Sequence, residues 1–174
     1  MDSDSPRIQR LLLDGATATN LFARSMPLEG CHEDWILKNA TAFQSLQREF
    51  LKAGSGLLLT PTFSANRTML ARHGHEKEVF EYNLRLAQLT LETAEGQALA
   101  GGNLSPTGLS FSPAGEVSFD ELVDIYAEQA NALNEAGVDC FYIETMLTVT
   151  ESRAAVLACR PYGKPVYVSA ALKE

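Results

Sequence analysis

The chain has 174 residues, of which 45% are hydrophobic, and it carries a formal net charge of −8 with a pI near 4.9. This size and composition predict a globular protein, and we expect one domain over residues 1–174. The acidic balance, with no cluster of Lys and Arg, argues against nucleic acid and anionic membrane surfaces as partners.

The remaining composition bears on location and redox state. The opening residues, MDSDSPR, lack the basic start and apolar centre of a secretory signal. No segment approaches the roughly 20 apolar residues that span a bilayer. Three cysteines, Cys31, Cys140 and Cys159, are too widely spaced for a disulfide framework or a CxxC motif. We therefore expect a cytoplasmic protein with no membrane span.

Five short apolar runs have the length and composition of buried strands. In chain order they are RLLLD (10–14), GLLLT (56–60), ALAGGN (98–103), VDCFYIE (138–144) and KPVYVS (164–169).

Helical patterns separate these runs. A helix is predicted over about 40–53, another near 76–95, a third from Ser118 to Gly137, and a fourth from Thr148 through Leu157. The last two each begin with a Ser/Thr-x-x-Glu capping box. Apolar strands that alternate with helices indicate a parallel sheet covered by helices. The spacing fits either a barrel or an open doubly wound sheet.

Each of the five runs ends in a polar residue, and after two of the runs a second polar residue lies two positions further on. These residues are Asp14, Thr60 with Thr62, Asn103 with Ser105, Glu144, and Ser169. The carboxyl ends of parallel strands open onto one face of the sheet, so we expect these side chains to converge there.

Asp14 and Glu144 are the two carboxylates in this set. A carboxylate at a strand end suits the ammonium group of an amino acid, and the backbone N–H groups of Gly15 and Ala16 suit its carboxylate. The same residues also fit an ordinary Asp-Gly turn and a loop cap, and the pattern alone leaves both interpretations open.

Three other motifs have plain structural interpretations. TPTFSANR (60–67) favours capping of a following helix. GGNLSPTG (101–108) lacks the Lys and the spacing of a phosphate loop. RHGH (72–75) is typical of a solvated turn rather than a metal site.

Five blocks carry a resemblance to a known family: LLLDGATATNL, FLKAGSGLLLTPTFSANR, GGNLSPTG, AGVDCFYIETM and KPVYVS. In order and separation they resemble the homocysteine S-methyltransferases, which include the first module of cobalamin-dependent methionine synthase and betaine-homocysteine methyltransferase. The resemblance implies an α/β fold, the first five βα units of a partial (β/α)8 TIM barrel, as the N-terminal portion of a homocysteine-binding domain. It implies that Asp14, Gly15, Ala16, Thr62, Asn103 and Glu144 bind the substrate.

The resemblance also implies a zinc ion held by three cysteine thiolates. Those ligands follow the sixth and eighth strands of the family barrel, and Cys31, Cys140 and Cys159 do not align with them. We therefore expect no metal ligand and assign no catalytic residue in this chain. Methylcobalamin is one candidate methyl donor, beside S-methylmethionine and betaine.

Three functions remain open at this stage. The first is methyl transfer to homocysteine, with the missing strands supplied by further polypeptide. The second is a non-catalytic amino-acid-binding or regulatory subunit, and the third is a remnant without function. Because a partial barrel has open sheet edges, we expect a homo-oligomer or a complementary chain that completes the barrel.

Overall fold

The computed structural model describes residues 11–110, 115 and 117–171, and within them a parallel sheet packs against helices. The helices are α1 (Thr17–Phe22), α2 (His32–Lys38), α3 (Ala40–Lys52), α4 (Arg67–Ala71), α5 (Val79–Ala94), α6 (Phe119–Ala136) and α7 (Val149–Cys159). The strands are β1 (Leu57–Leu59), β2 (Leu99–Leu104), β3 (Cys140–Met146) and β4 (Val166–Ala170), and a 3-10 turn spans Arg160–Tyr162.

The four strands are all parallel and lie in the order β1-β2-β3-β4. This order follows the chain, as it does in a (β/α)8 barrel. The predicted strand at 10–14 is reduced to one parallel bridge between Leu13 and Leu57. The backbone N–H of Asp14 donates to the Leu57 carbonyl (3.0 Å), so this segment still extends the sheet beyond β1. Arg10 lies outside the described residues, as does the MDSDSPR segment.

Each face of the sheet has its own apolar cluster, because successive strand residues point to opposite sides. Phe141 and Ile143 of β3 belong to the cluster packed beneath α6 and α7. Cys140 and Tyr142 face the other side, where they meet Leu57 and other apolar residues. Cys140 is therefore a buried core residue of the sheet.

The two predicted capping boxes have different outcomes. At α6 the Ser118 side chain accepts from the Glu121 backbone N–H (3.2 Å), and the Glu121 carboxylate accepts from the Ser118 N–H (2.7 Å). At α7 the Thr148 hydroxyl accepts from the Glu151 N–H (3.2 Å). The Glu151 side chain does not return to the cap, so the second capping box was wrong in its reciprocal half. That carboxylate is buried and bonded to other elements.

Of the three short helices α1, α2 and α4, the first two were not predicted, and the third was predicted only as the helix that TPTFSANR caps, without bounds. Each has seven residues or fewer, too short to show a helical apolar repeat. The capping interpretation of TPTFSANR is confirmed, because Asn66 is the N-cap of α4 and accepts from the Met69 N–H (3.0 Å). In the described part of the chain, none of the helices has the length and apolarity that a bilayer crossing requires.

Candidate functional site

A cavity of about 540 Å³ opens at the carboxyl ends of the strands. Its polar wall is formed by residues at the strand ends, and its apolar wall by residues of α1, of α2, of the segment between them and of the segment after β1. The polar side includes Asp14, Thr60, Asn103, Glu144 and Thr145; the apolar side includes Leu21, Met26, Ile36 and Phe63. A polar end beside an apolar end suits a small amphiphilic ligand.

Asp14 is fixed at the tip of the first segment by its own side chain. Its Oδ2 accepts from the Leu59 backbone N–H (2.9 Å), which places the carboxylate beside the end of β1. The pKa of Asp14 is raised to about 7, mainly by burial and in smaller part by the nearby charge of Glu144, against the lowering effect of the Leu59 bond. Two carboxylates that repel each other in one cavity favour a cationic ligand.

Glu144 enters the cavity from β3. Its Oε2 accepts from the Asn103 side-chain amide (2.9 Å), which comes from the neighbouring strand β2. Asn103 is itself buried and lines the cavity, so it both shapes the wall and orients the acid.

Gly15 and Ala16 also line the cavity, directly after Asp14. A Cβ at position 15 would lie only 2.8 Å from Cε1 of Phe50, so a larger residue there would displace that ring. The sixth predicted residue, Thr62, lies behind the wall. Its hydroxyl is fully buried and donates to the Asn103 carbonyl (2.7 Å), so it supports the residue that holds Glu144.

The structure thus brings Asp14, Gly15, Ala16, Asn103 and Glu144 together around one cavity, although 130 positions separate the first acid from the last. Their binding roles remain predictions.

Sequence reasoning missed Glu33, a third carboxylate at this cavity. It lies in the first turn of α2 and is buried, and its Oε1 accepts from the Ser64 backbone N–H (3.0 Å). Burial raises the pKa of Glu33. The local sequence around Glu33, CHEDW (31–35), has no pattern that indicates a site residue. The burial of Glu33 depends instead on the packing of α2 against the segment that follows β1.

The cysteines do not form a metal centre. In residues 11–110, 115 and 117–171, no three His, Cys, Asp or Glu side chains are grouped so that they could hold an ion. Burial raises the pKa of Cys140 to about 11 and that of Cys159 to about 12, which opposes the thiolate form that zinc requires. The described residues therefore do not fit a zinc ion.

The fold and the cavity define a class: a partial parallel α/β barrel with an acidic cavity at the carboxyl ends of its strands. The model of the homocysteine S-methyltransferase family matches residues 11–174, and the chain belongs to that family.

Solved structures show the same fold. The chain is similar to the metallated form of the homocysteine methyltransferase MmuM from Escherichia coli, with a TM-score of 0.82 and 21% identity over 96% of this chain and 65% of that chain. For the oxidized form of MmuM the TM-score is 0.73, with 22% identity over 94% of this chain and 63% of that one. The chain spans less than two thirds of the length of these structures.

Proposed function

We propose that this chain binds homocysteine by its amino-acid end and serves methyl transfer to the homocysteine thiol, giving methionine. The observation that carries the proposal is the presence of Asp14 and Glu144 on one cavity wall. In the reaction the sulfur gains a methyl group and loses its proton, while the donor leaves without its methyl. The residues described here bind and orient the amino acid.

Each end of the amino acid has a counterpart in the cavity. The ammonium group pairs with the carboxylates of Asp14 and Glu144, which offset its loss of water by charge-assisted hydrogen bonds. The amino-acid carboxylate faces the backbone N–H groups of Gly15 and Ala16. The sulfur-bearing side chain extends toward the apolar wall.

The step that produces the thiolate needs a group that these residues do not supply. We place the metal ligands in further strands of the barrel, contributed by a longer form of the chain or by a complementary chain. None of the cavity residues described above is assigned to binding of the methyl donor. Methylcobalamin as the donor therefore remains a prediction. We also propose that residues 1–174 form the N-terminal portion of a homocysteine-binding domain, on the basis of the family match and the cavity residues.

Calorimetry with L-homocysteine tests the binding proposal. We expect saturable binding that weakens about 10- to 100-fold in Asp14→Asn and in Glu144→Gln, as the loss of a charged hydrogen bond predicts. The matched controls, Asp124→Asn and Glu135→Gln, alter exposed acids on α6 and should bind like the wild type.

A ligand control separates the two ends of the substrate. The desamino analogue, 4-mercaptobutanoic acid, lacks the ammonium group and should bind weakly to the wild type, with little further loss in the two acid variants. Equal binding of homocysteine and this analogue would contradict the proposed ammonium contact.

A second candidate is an amino-acid-binding or regulatory subunit without methyl transfer. It is favoured by a cavity whose carboxylates come entirely from this chain, while no metal-binding group accompanies them in the described residues. Binding of homocysteine with no methionine formed, in the presence of any methyl donor and any barrel-completing chain, would support this candidate over the enzyme.

A further inference from the structure

Glu144 lies at an irregular point of the sheet. Between β3 and β4, Ile143 pairs with Val168 and Met146 with Ala170, so Glu144 and Thr145 lie together opposite the single residue Ser169. Two residues opposite one define a β-bulge, which bends a strand and redirects its side chains.

The bulge changes which side of the sheet the following residue faces. In a regular strand Glu144 and Met146 would point to the same side. Cys140 and Tyr142 face the side with Leu57, and Glu144 continues that series toward the cavity. Met146, however, packs in the opposite cluster beneath α6 and α7. The extra residue lets the strand aim an acid into the cavity and still bury the next apolar side chain.

The bulge carries backbone strain at Thr145. Its φ is 59°, in the left-handed region that β-branched residues rarely adopt. Such a conformation persists only where neighbouring groups hold it. One neighbour is identifiable: the Thr145 backbone N–H donates to Oγ of Ser169 on β4 (3.0 Å).

We propose that Ser169 is a positioning residue for the amino-acid site, because its hydroxyl holds the bulge that directs Glu144 into the cavity. Glu144 is then fixed from both sides, by Asn103 of β2 through its side chain and by Ser169 of β4 through the adjacent backbone. The identity of the ligand in this inference rests on the proposed function, whereas the contact between Ser169 and the bulge does not. Ser169 is the last residue of the predicted strand at 164–169, yet it acts on Glu144 rather than on the ligand.

The geometry can be tested without a ligand by NMR on the full chain. Ser169→Ala should shift the side-chain amide resonances of Asn103, since Glu144 leaves its fixed position. It should also lower the pKa of Asp14, whose carboxyl loses a nearby negative charge. Ser169→Thr keeps the hydroxyl and should restore both signals. Unchanged Asn103 resonances together with an unchanged Asp14 titration would overturn the proposal.

Homocysteine binding to the Ser169 variants tests whether Ser169 affects the amino-acid site. Ser169→Ala should weaken homocysteine binding about three- to tenfold, the effect of one net hydrogen bond, and Ser169→Thr should bind within about twofold of the wild type. Ser152→Ala, which removes a surface hydroxyl bonded to the Thr148 carbonyl, is the matched control and should have no effect.

A double-mutant cycle completes the test. In the Glu144→Gln variant homocysteine binds weakly, so its dissociation constant is measured by chemical-shift titration. Adding Ser169→Ala to this variant should change that dissociation constant by less than about twofold. An undiminished loss in that background would show that Ser169 does not act through Glu144. If the wild type fails to bind homocysteine, the proposed function fails, while the Asn103 and Asp14 signals still decide whether Ser169 holds the bulge.

Discussion

The protonated form of Asp14 favours folding, whereas its ionised form favours binding of an ammonium ligand. Its pKa is about 7 in the folded protein, mainly because of burial, against 3.8 for an unperturbed carboxyl. The folded state therefore holds this proton more tightly than the unfolded state. The resulting stability is complete below pH 3.8 and is lost as the pH rises through 7.

The variant Asp14→Asn should remove this pH dependence. Asparagine can still accept from the Leu59 N–H through its amide oxygen, but it carries no charge to bury. We expect similar melting temperatures for wild type and variant below about pH 4, and a variant more stable by about 3 °C or more at pH 8. Thermal unfolding across this range measures the difference, and parallel curves for the two proteins would contradict a titrating Asp14.

The same carboxyl predicts a proton release on binding. Near pH 7 Asp14 is about half protonated, and an ammonium ligand favours its ionised form. Homocysteine binding at pH 7 should release about 0.5 proton per site, and affinity should fall as the pH drops below 7. Calorimetry in two buffers of different ionisation enthalpy measures the release. Asp14→Asn should show none; a release that persists in this variant would assign the proton to another group.

Glu121 and Glu151 show, at the scale of elements, how far sequence patterns reach. Both stand three residues after a Ser or Thr that caps a helix, so the local sequence predicts the same capping box twice. Glu121 completes its box at the surface. Glu151 instead is buried, and its Oε1 accepts from the backbone N–H of Thr107 (2.7 Å) and the hydroxyl of Tyr126 (3.0 Å). Local spacing cannot distinguish these outcomes, because α6 and the segment after β2 decide the second.

Glu151 therefore joins three elements, and its replacement should be costly. Glu151→Ala leaves the Thr107 N–H and the Thr107 hydroxyl without their buried acceptor, which costs roughly 3 kcal/mol or more. The Tyr126 hydroxyl can still donate to the Ser105 carbonyl (2.9 Å). Glu151→Gln keeps an acceptor oxygen and should lose less than half as much. Denaturant unfolding of both, with Glu121→Ala as an exposed control of small effect, measures the difference. Equal losses in the Ala and Gln variants would contradict the role of the acceptor.

The regular elements of the fold were predictable, and the short ones were not. Strands β1 to β4 and helices α3, α5, α6 and α7 follow the apolar runs and helical repeats of the sequence. The segment at 11–14 has the composition of a strand, but only one bridge forms, since pairing depends on its neighbours. In the site, Asp14 and Glu144 were visible as acids at strand ends. Glu33 and the bulge at Thr145 were not, because both arise from contacts between distant segments.

At the scale of the whole molecule, the open edge of the sheet predicts association. β4 is the outer strand in the described part of the chain, and its Tyr167 and Val168 are 45% and 47% exposed. An apolar edge strand without a charge offers its free backbone groups to another strand. We expect the purified chain to form a defined oligomer, or to pair with a complementary chain. Light scattering measures the mass of the particle.

A matched pair of charge variants locates the contact. Val168→Lys places a charge on the β4 edge, which disfavours strand pairing, and should shift the particle toward monomer. Val149→Lys makes the same change on α7, at a side chain that is 77% exposed, and should leave the mass unchanged. A wild-type monomer at the highest soluble concentration would contradict the prediction. Equal shifts in both variants would show that the contact does not depend on the β4 edge.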